Sequence, residues 1–155
     1  AIKRASCLSG VSFTMELPIV SSIQWDKLEH AYGKATDAQK NLNDLRSSHE
    51  NELDEAVDHF LLSSACHQYT TYSCTPSVVK CVIATLNFSY FEIEQTSGIF
   101  DFLNACTHSA RNKDDLKREI LNGIECYRKY ANHKDVRVVE NVKMLLEFCM
   151  ELNEN

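Results

Sequence analysis

The side chains that could do chemistry in this sequence are its seven cysteines and six histidines. The cysteines lie at positions 7, 66, 74, 81, 106, 126 and 149, and the histidines at 30, 49, 59, 67, 108 and 133. Cys66, His67 and Cys74 are the densest group, but they lack the C-x-x-C spacing of structural zinc sites. A cysteine nucleophile with a histidine base could form from Cys66 or Cys106 with a nearby histidine, His67 or His108. With so many of both types, however, chance neighbours are expected. The sequence predicts no metal, no cofactor and no enzyme.

Glycine content and charge exclude further classes. The four glycines are scattered and cannot form a phosphate-binding loop. The net charge of −6 argues against nucleic acid or an anionic membrane as partner, because both require clustered Lys and Arg. Acidic pairs such as Asp54/Asp58 and Asp114/Asp115 are typical of solvated helix faces. An acidic surface suits a basic protein partner, and it serves solubility equally well.

The cysteine positions also indicate a compartment. Their odd number and scattered placement favour free, largely buried thiols, so we expect a cytoplasmic protein. No stretch approaches 18 uninterrupted apolar residues, so no membrane span is expected. Residues 1–14 lack a clean signal-peptide pattern, and we expect them to be a dispensable, loosely ordered extension before a natural start at Met15. Residues 15–155 are expected to form one domain.

Apolar residues recur at helical spacing along the chain, which agrees with the scarcity of glycine and proline. We predict seven helices. The first runs through Ile23, Trp25, Leu28 and Ala31 and ends at Tyr32–Gly33, and the second begins at Thr36 or Asp37. The third covers residues 52–66, the fourth begins at Thr75–Pro76, the fifth covers residues 91–109, the sixth runs from residue 113 or 114 to 131, and the seventh is capped by Asp135. The third helix has the clearest buried face: Leu53, Ala56, Val57, Phe60, Leu61 and Ser64. The predicted stripe of the seventh is Val136, Val139, Val142, Leu145, Leu146 and Cys149.

The predicted helices pair second with third, fourth with fifth, and sixth with seventh. Helix pairs of about 32–42 residues are typical of α-solenoids, in which each pair buries its apolar face against the next. An irregular helical bundle is the alternative on periodicity alone.

Two motifs carry a family resemblance. The stretch Trp25-x-x-Leu28-Glu29-His30-Ala31-Tyr32-Gly33-x-Ala35-x-Asp37 is similar to the opening of a bacterial family of HEAT-like helical repeat proteins. The stretch His67-Gln68-x-Thr70-x-Tyr72-x-x-Thr75-Pro76 resembles the second signature of that family. The match covers residues 23–86. The chain departs from the family at Tyr69, where glycine is common, and at Gln39, where proline is favoured.

Periodicity and resemblance together predict an all-α fold: a right-handed α-solenoid of about three HEAT-like helix hairpins plus a short N-terminal helix. The resemblance assigns structural roles to the motif residues, which are Trp25, His30, Tyr32, Gly33, Asp37, His67, Gln68, Thr70 and Pro76. We interpret Trp25 and Tyr32 as side chains that fill the core of the first helix hairpin, a role called the core plug below. The segment 67–72 has two readings: its His and Gln side chains could bond the last carbonyls of the third helix, or it could be a recognition loop.

Some proteins of this kind look like immunity proteins that neutralise bacterial toxins. We therefore expect a protein-binding module, monomeric on its own, that binds a basic toxin domain one to one and blocks its active site. The expected partner-binding residues are Asp54, Asp58, Tyr69, Tyr72, Asp101, Glu140 and Glu147. A scaffold or regulatory subunit for a cellular protein, and a helical-repeat enzyme, are the alternatives.

Overall fold

The computed structural model describes residues 16–154. The predicted loose extension over residues 1–14 and the start at Met15 lie outside the described residues. Between residues 16 and 154 the chain is mostly helical, with two small antiparallel hairpins. The mostly α class is confirmed, and the expectation of a purely α chain is corrected by these hairpins.

The helices are α1 (Pro18–Ser21), α2 (Ala38–Asp44), α3 (Glu50–Asp54), which continues as a π-helix (Glu55–Ala65), α4 (Thr75–Phe88), α5 (Thr96–Ala110), α6 (Asp114–Asn122), α7 (Ile124–Arg128) and α8 (Val136–Glu154). A short 3₁₀ turn covers Trp25–Lys27. The first hairpin pairs β1 (Glu29–His30) with β2 (Gly33–Lys34), and the second pairs β3 (Cys66–His67) with β4 (Thr70–Thr71). The first hairpin leads into α2 and the second into α4.

The predicted first helix is wrong. Its residues form the 3₁₀ turn and the first hairpin, while the short N-terminal helix is α1, with proline in its first turn. Gly33 has a φ of 129°, a backbone conformation open to glycine. The sequence signal of a left-handed glycine is therefore real, but this glycine serves a hairpin and not a helix end.

The predicted third helix is present as α3 and the π-helix. All six residues of its predicted face are buried, and Asp54 and Asp58 are exposed. The last eleven residues wind more widely than an α-helix. π-helical turns are rare and often lie at functional sites. The 3–4 spacing of apolar residues did not reveal this change of pitch.

The later elements differ from prediction mainly at their ends. The predicted fifth helix begins late, at Thr96, and Phe91 lies in the preceding loop, where its N–H donates to the Tyr130 hydroxyl. The predicted sixth helix breaks at Gly123, where a β-carbon would come within 2.4 Å of the Tyr127 ring. Of the predicted stripe of α8, Val142, Leu145 and Cys149 are buried, whereas Val136 is 64% exposed. The buried stripe of α8 is Val138, Val142, Leu145, Cys149 and Leu152.

The helices after α1 form two layers in chain order. The first layer holds α2, α4 and the α6–α7 segment, and the second holds α3 with the π-helix, α5 and α8. Hydrogen bonds in the second layer join Gln95 to Asp54, Ser109 to Thr71, Asn141 to Asp101 and Arg111 to Glu151. The partners follow one another in the same order along each element, so neighbouring helices run parallel. The core lies between the layers.

Helix α5 approaches the π-helix most closely at Gly98. A β-carbon at this position would come within 2.6 Å of Val57 Cγ1. We predict that Gly98→Ala lowers the free energy of unfolding by about 1–3 kcal/mol, because the extra methyl group overpacks this contact. In a Val57→Ala background the same substitution should be close to neutral. Urea unfolding of the four variants measures both values, and equal costs in the two backgrounds would contradict the contact.

Candidate functional site

A groove on the second layer collects acidic side chains from consecutive elements. It is lined by Glu50 and Asp54 of α3, Asp58 of the π-helix, Glu94 before α5, and Asp101 of α5, and it encloses about 350 Å³. Among the described residues that line it, Arg137 of α8 is the one basic side chain. We call this set of five carboxylates and Arg137 the acidic groove.

Neutral amides hold two of the carboxylates. Gln95 Nε2 donates to Asp54 Oδ1 at 3.0 Å, and Asn141 Nδ2 donates to Asp101 Oδ1 at 2.8 Å. Asn141 also bonds the Ser97 carbonyl at 3.3 Å. These bonds orient the carboxylates and leave their charge in place, because an amide carries no compensating charge.

Arg137 is shared between the groove and Asp135, which lies outside it. It bonds Asp135 at two points, from Nη2 to Oδ2 at 2.9 Å and from Nε to Oδ1 at 3.2 Å. The hydrogen bond with Arg137 lowers the pKa of Asp135, and the bond with Asp135, helped by Glu94 and Asp101, raises the pKa of Arg137. Since Arg137 is already matched by Asp135, the groove keeps an excess of negative charge.

The structure brings together three of the predicted partner-binding residues, Asp54, Asp58 and Asp101. Glu140 and Glu147 are exposed on α8 and do not line this groove. Tyr72 is half-buried and borders a separate groove beside the start of α6. Sequence reasoning missed Glu50, Glu94 and Arg137. The i, i+4 spacing of Glu50 and Asp54 was a usable signal, whereas Glu94 was misplaced inside a helix.

Within residues 16–154, the second hairpin holds the non-glycine residues with a left-handed backbone. Gln68 and Tyr69 have φ values of 47° and 69°, the left-handed pair that a two-residue hairpin turn of type I′ requires. Such turns favour asparagine and glycine, and a bulky side chain is costly there. The Tyr69 ring is 59% exposed and packs against His108, with ring centroids 4.2 Å apart.

The motif histidines anchor both hairpins. His30 Nε2 bonds Asp37 Oδ1 at 2.8 Å, and its Nδ1 accepts the Tyr32 N–H at 3.1 Å. His67 Nδ1 donates to the Ser63 carbonyl at 3.2 Å, so the reading that His67 bonds a carbonyl ending the third helix is confirmed.

The core-plug interpretation holds for one of its two residues. Trp25 is buried, and its Nε1 donates to the Val20 carbonyl at 2.9 Å. It is wrong for Tyr32, which is 67% exposed. The remaining motif residues lie on the surface or close to it: Gly33, Gln68 and Thr70 are exposed in the hairpins, and Pro76 is half-buried in the first turn of α4.

The six described cysteines are buried free thiols. Burial raises the pKa of Cys74 and Cys81 to about 12, and that of Cys126 and Cys149 to about 11. Burial also raises the pKa of Cys106, while a hydrogen bond from the Cys106 thiol lowers that of Cys66. These two thiols therefore share a hydrogen bond. Cys106 faces the core, whereas His108 is exposed.

Within residues 16–154, no group of three or more His, Cys, Asp or Glu side chains is placed to hold a metal ion. Over the same residues, no helix combines the length and the apolar character needed to cross a membrane. No protein-family model, curated protein or solved structure matches the chain.

The two hairpins provide a matched test of backbone strain, because Tyr32 and Tyr69 hold equivalent turn positions. At Tyr69, the glycine variant should be more stable than the alanine variant by about 1 kcal/mol, since both lose the ring but glycine also relieves the left-handed backbone. At Tyr32, where φ is not positive, alanine should be the more stable. Urea unfolding gives both differences, and the same order at both sites would rule out strain at Tyr69.

The buried thiols predict a loss of stability at alkaline pH. A thiol with an ordinary pKa of 9.0 ionises in the unfolded chain, while folded Cys81 stays protonated up to about pH 12. Its contribution is therefore present below pH 9 and is lost as the pH rises toward 12. Between pH 7 and pH 10, Cys81→Ala should lose about 1.4 kcal/mol less than the unchanged chain. Urea midpoints at both pH values measure this difference, and equal losses would contradict the assignment.

Proposed function

We propose that this protein is a protein-binding module whose acidic groove docks a basic protein. The observation that carries the proposal is the convergence of Asp54, Asp58 and Asp101, from consecutive elements, in one groove. A basic protein is the partner class that this charge favours, because nucleic acid and anionic membranes would be repelled.

The electrostatics of the groove fit a role in capture. A cationic side chain that entered the groove would be attracted by several carboxylates at once. Complementary charge chiefly speeds encounter and sets specificity, whereas buried contacts supply most of the affinity. The amides of Gln95 and Asn141 hold two carboxylates in position before the partner arrives, which reduces the ordering needed on binding.

We further propose that the two layers are a right-handed α-solenoid of three helix pairs. Side-chain bonds between neighbouring units join residues about 40 positions apart, for instance Asp54 with Gln95 and Arg111 with Glu151. Such a constant offset, within parallel layers that follow chain order, is typical of stacked repeats. A stack of this kind presents one continuous helix layer to a partner.

The resemblance to HEAT-like repeat proteins makes an immunity protein the best specific proposal. The glycine common in that family at position 69 suits a left-handed turn, and Tyr69 adopts that conformation here. The partner would be a basic toxin domain, bound one to one in the cytoplasm so that its active site is blocked. A scaffold or regulatory subunit would share the groove but would bind a cellular protein.

The test is co-expression of the chain with the products of its neighbouring genes, followed by purification and light scattering. The expected result is a one-to-one complex with a basic protein that arrests growth when produced alone and is inhibited when bound. A bound protein without toxicity would replace immunity with a scaffold role. If none of the neighbouring products binds, the immunity proposal fails.

Charge reversal tests the acidic groove itself. Asp54→Lys with Asp58→Lys should slow association with that basic protein about tenfold at low salt and flatten its salt dependence, with less effect on dissociation. Both side chains are exposed, and circular dichroism checks that the fold is retained without the bond from Gln95 to Asp54. The matched control is Glu140→Lys with Glu147→Lys, which changes the net charge equally outside the groove. Stopped-flow or surface-plasmon measurements compare the two, and equal slowing would remove the groove from the interface.

A further inference from the structure

A second pocket lies between α5 and α8, on the same layer as the acidic groove. Its walls are Asn104, Thr107, His108, Arg111, Met144 and Phe148, and it encloses about 330 Å³. We call it the α5–α8 pocket. Small-molecule sites span roughly 300–1,000 Å³. This pocket lies at the lower end of that range, which suits a single large side chain.

The walls of the α5–α8 pocket are of the kinds enriched in protein interfaces. Met144 is 59% exposed, and Phe148 is partly buried against the core. The Arg111 guanidinium lies 5.2 Å from the centre of the Phe148 ring and pairs with Glu151 at 2.7 Å. Aromatic residues, methionine and arginine are over-represented at interface cores.

Tyr69 extends this surface beyond the pocket. Its ring packs on His108, which is itself a wall of the pocket. The ring stays exposed although its backbone is strained. The strained turn costs stability, and selection for stability alone would not keep a large aromatic residue there. A binding role for the exposed ring would account for it.

The α5–α8 pocket and the acidic groove share helix α5. Asp101 borders the groove and His108 borders the pocket, seven residues further along α5. At a rise of 1.5 Å per residue this separation is about 10 Å, which about three extended residues span.

We propose that the α5–α8 pocket, with Tyr69, receives one aromatic side chain of the basic partner while the acidic groove receives its cationic side chains. This inference rests on the proposed function. The charge of the groove selects a basic partner, and the pocket supplies the apolar burial that charge cannot supply. Aromatic anchors in central pockets carry a large share of binding energy at protein interfaces.

A pair of peptides tests the proposal with the whole chain. The probe is arginine–arginine–arginine–glycine–glycine–tryptophan, and its control ends in alanine. With ¹³C-methyl methionine, the chain gives three methyl signals, from Met15, Met144 and Met150. The tryptophan peptide should shift the Met144 signal saturably and bind at least fivefold more tightly than its control. Met150 is 64% exposed on the same helix outside the pocket and should not move.

Variants separate this inference from the proposed function. Tyr69→Ala should weaken the tryptophan peptide about fivefold. The control Tyr90→Ala, at an exposed tyrosine that stacks on Tyr130 outside both sites, should change its affinity less than twofold. Asp54→Lys with Asp58→Lys should weaken both peptides. If it does so but the peptides bind equally, the pocket inference fails and the acidic groove stands. If it changes neither peptide while Met144 still responds, the groove fails and the pocket stands.

Two further outcomes would overturn the inference outright. If neither peptide binds, both assignments fail. If the Met144 signal moves with protein concentration in the absence of peptide, the occupant of the pocket is a second copy of this chain and not a basic partner.

Discussion

The close contact between Gly98 of α5 and Val57 of the π-helix sets the register on which the second layer depends. Because no side chain separates the two elements at this point, α5 lies close against the π-helix. The bonds from Gln95 to Asp54 and from Ser109 to Thr71 lie on either side of this contact. A shift of one residue would break both bonds and would separate Asp58 from Asp101.

The two ends of helix α5 lie in surroundings of different chemistry. Its beginning lies among carboxylates that neutral amides hold in place, and its end lies among aromatic and sulfur-containing side chains. Charge acts over about a Debye length, roughly 8 Å in physiological salt, whereas apolar burial requires direct contact. A partner approaching this layer would be attracted first at one end of α5 and fixed at the other.

The sequence predicted the buried faces of long helices well and the short elements poorly. The buried face of the third helix was right because a helix of three or more turns repeats its pattern. The start of α4 at Thr75 was right because Pro76 marks the first turn of a helix. The hairpins were missed because each strand has two residues, too few to show alternation. Val136 was misassigned because the buried face of α8 begins two residues later, at Val138.

The structure gathers only part of the predicted partner-binding set in one groove, for a different reason. Asp54, Asp58 and Asp101 were selected as charges on successive exposed faces, and the parallel packing of the second layer places them together. The same argument selected Glu140 and Glu147, which the rotation of α8 turns away from the groove. The buried stripe of α8 determines which way Glu140 and Glu147 face. Because the predicted stripe began at Val136 and not at Val138, the sequence did not show that these two side chains face away from Asp101. A sequence gives the type of a side chain, but its direction depends on the register of the whole layer.

The two hairpins expose a tyrosine at different costs in backbone strain. Both present a tyrosine at the turn, but the first places its left-handed residue at Gly33, where it costs little, and the second places it at Gln68 and Tyr69. The second hairpin can hold this strain because β4 is tied down: Lys113 Nζ bonds the Thr71 hydroxyl at 2.7 Å, and Ser109 bonds the same hydroxyl at 2.7 Å. Anchoring of this kind fixes the turn even though its own residues disfavour it. The anchors come from the end of α5 and the start of α6, so the same helix that forms the acidic groove also holds Tyr69 beside the α5–α8 pocket.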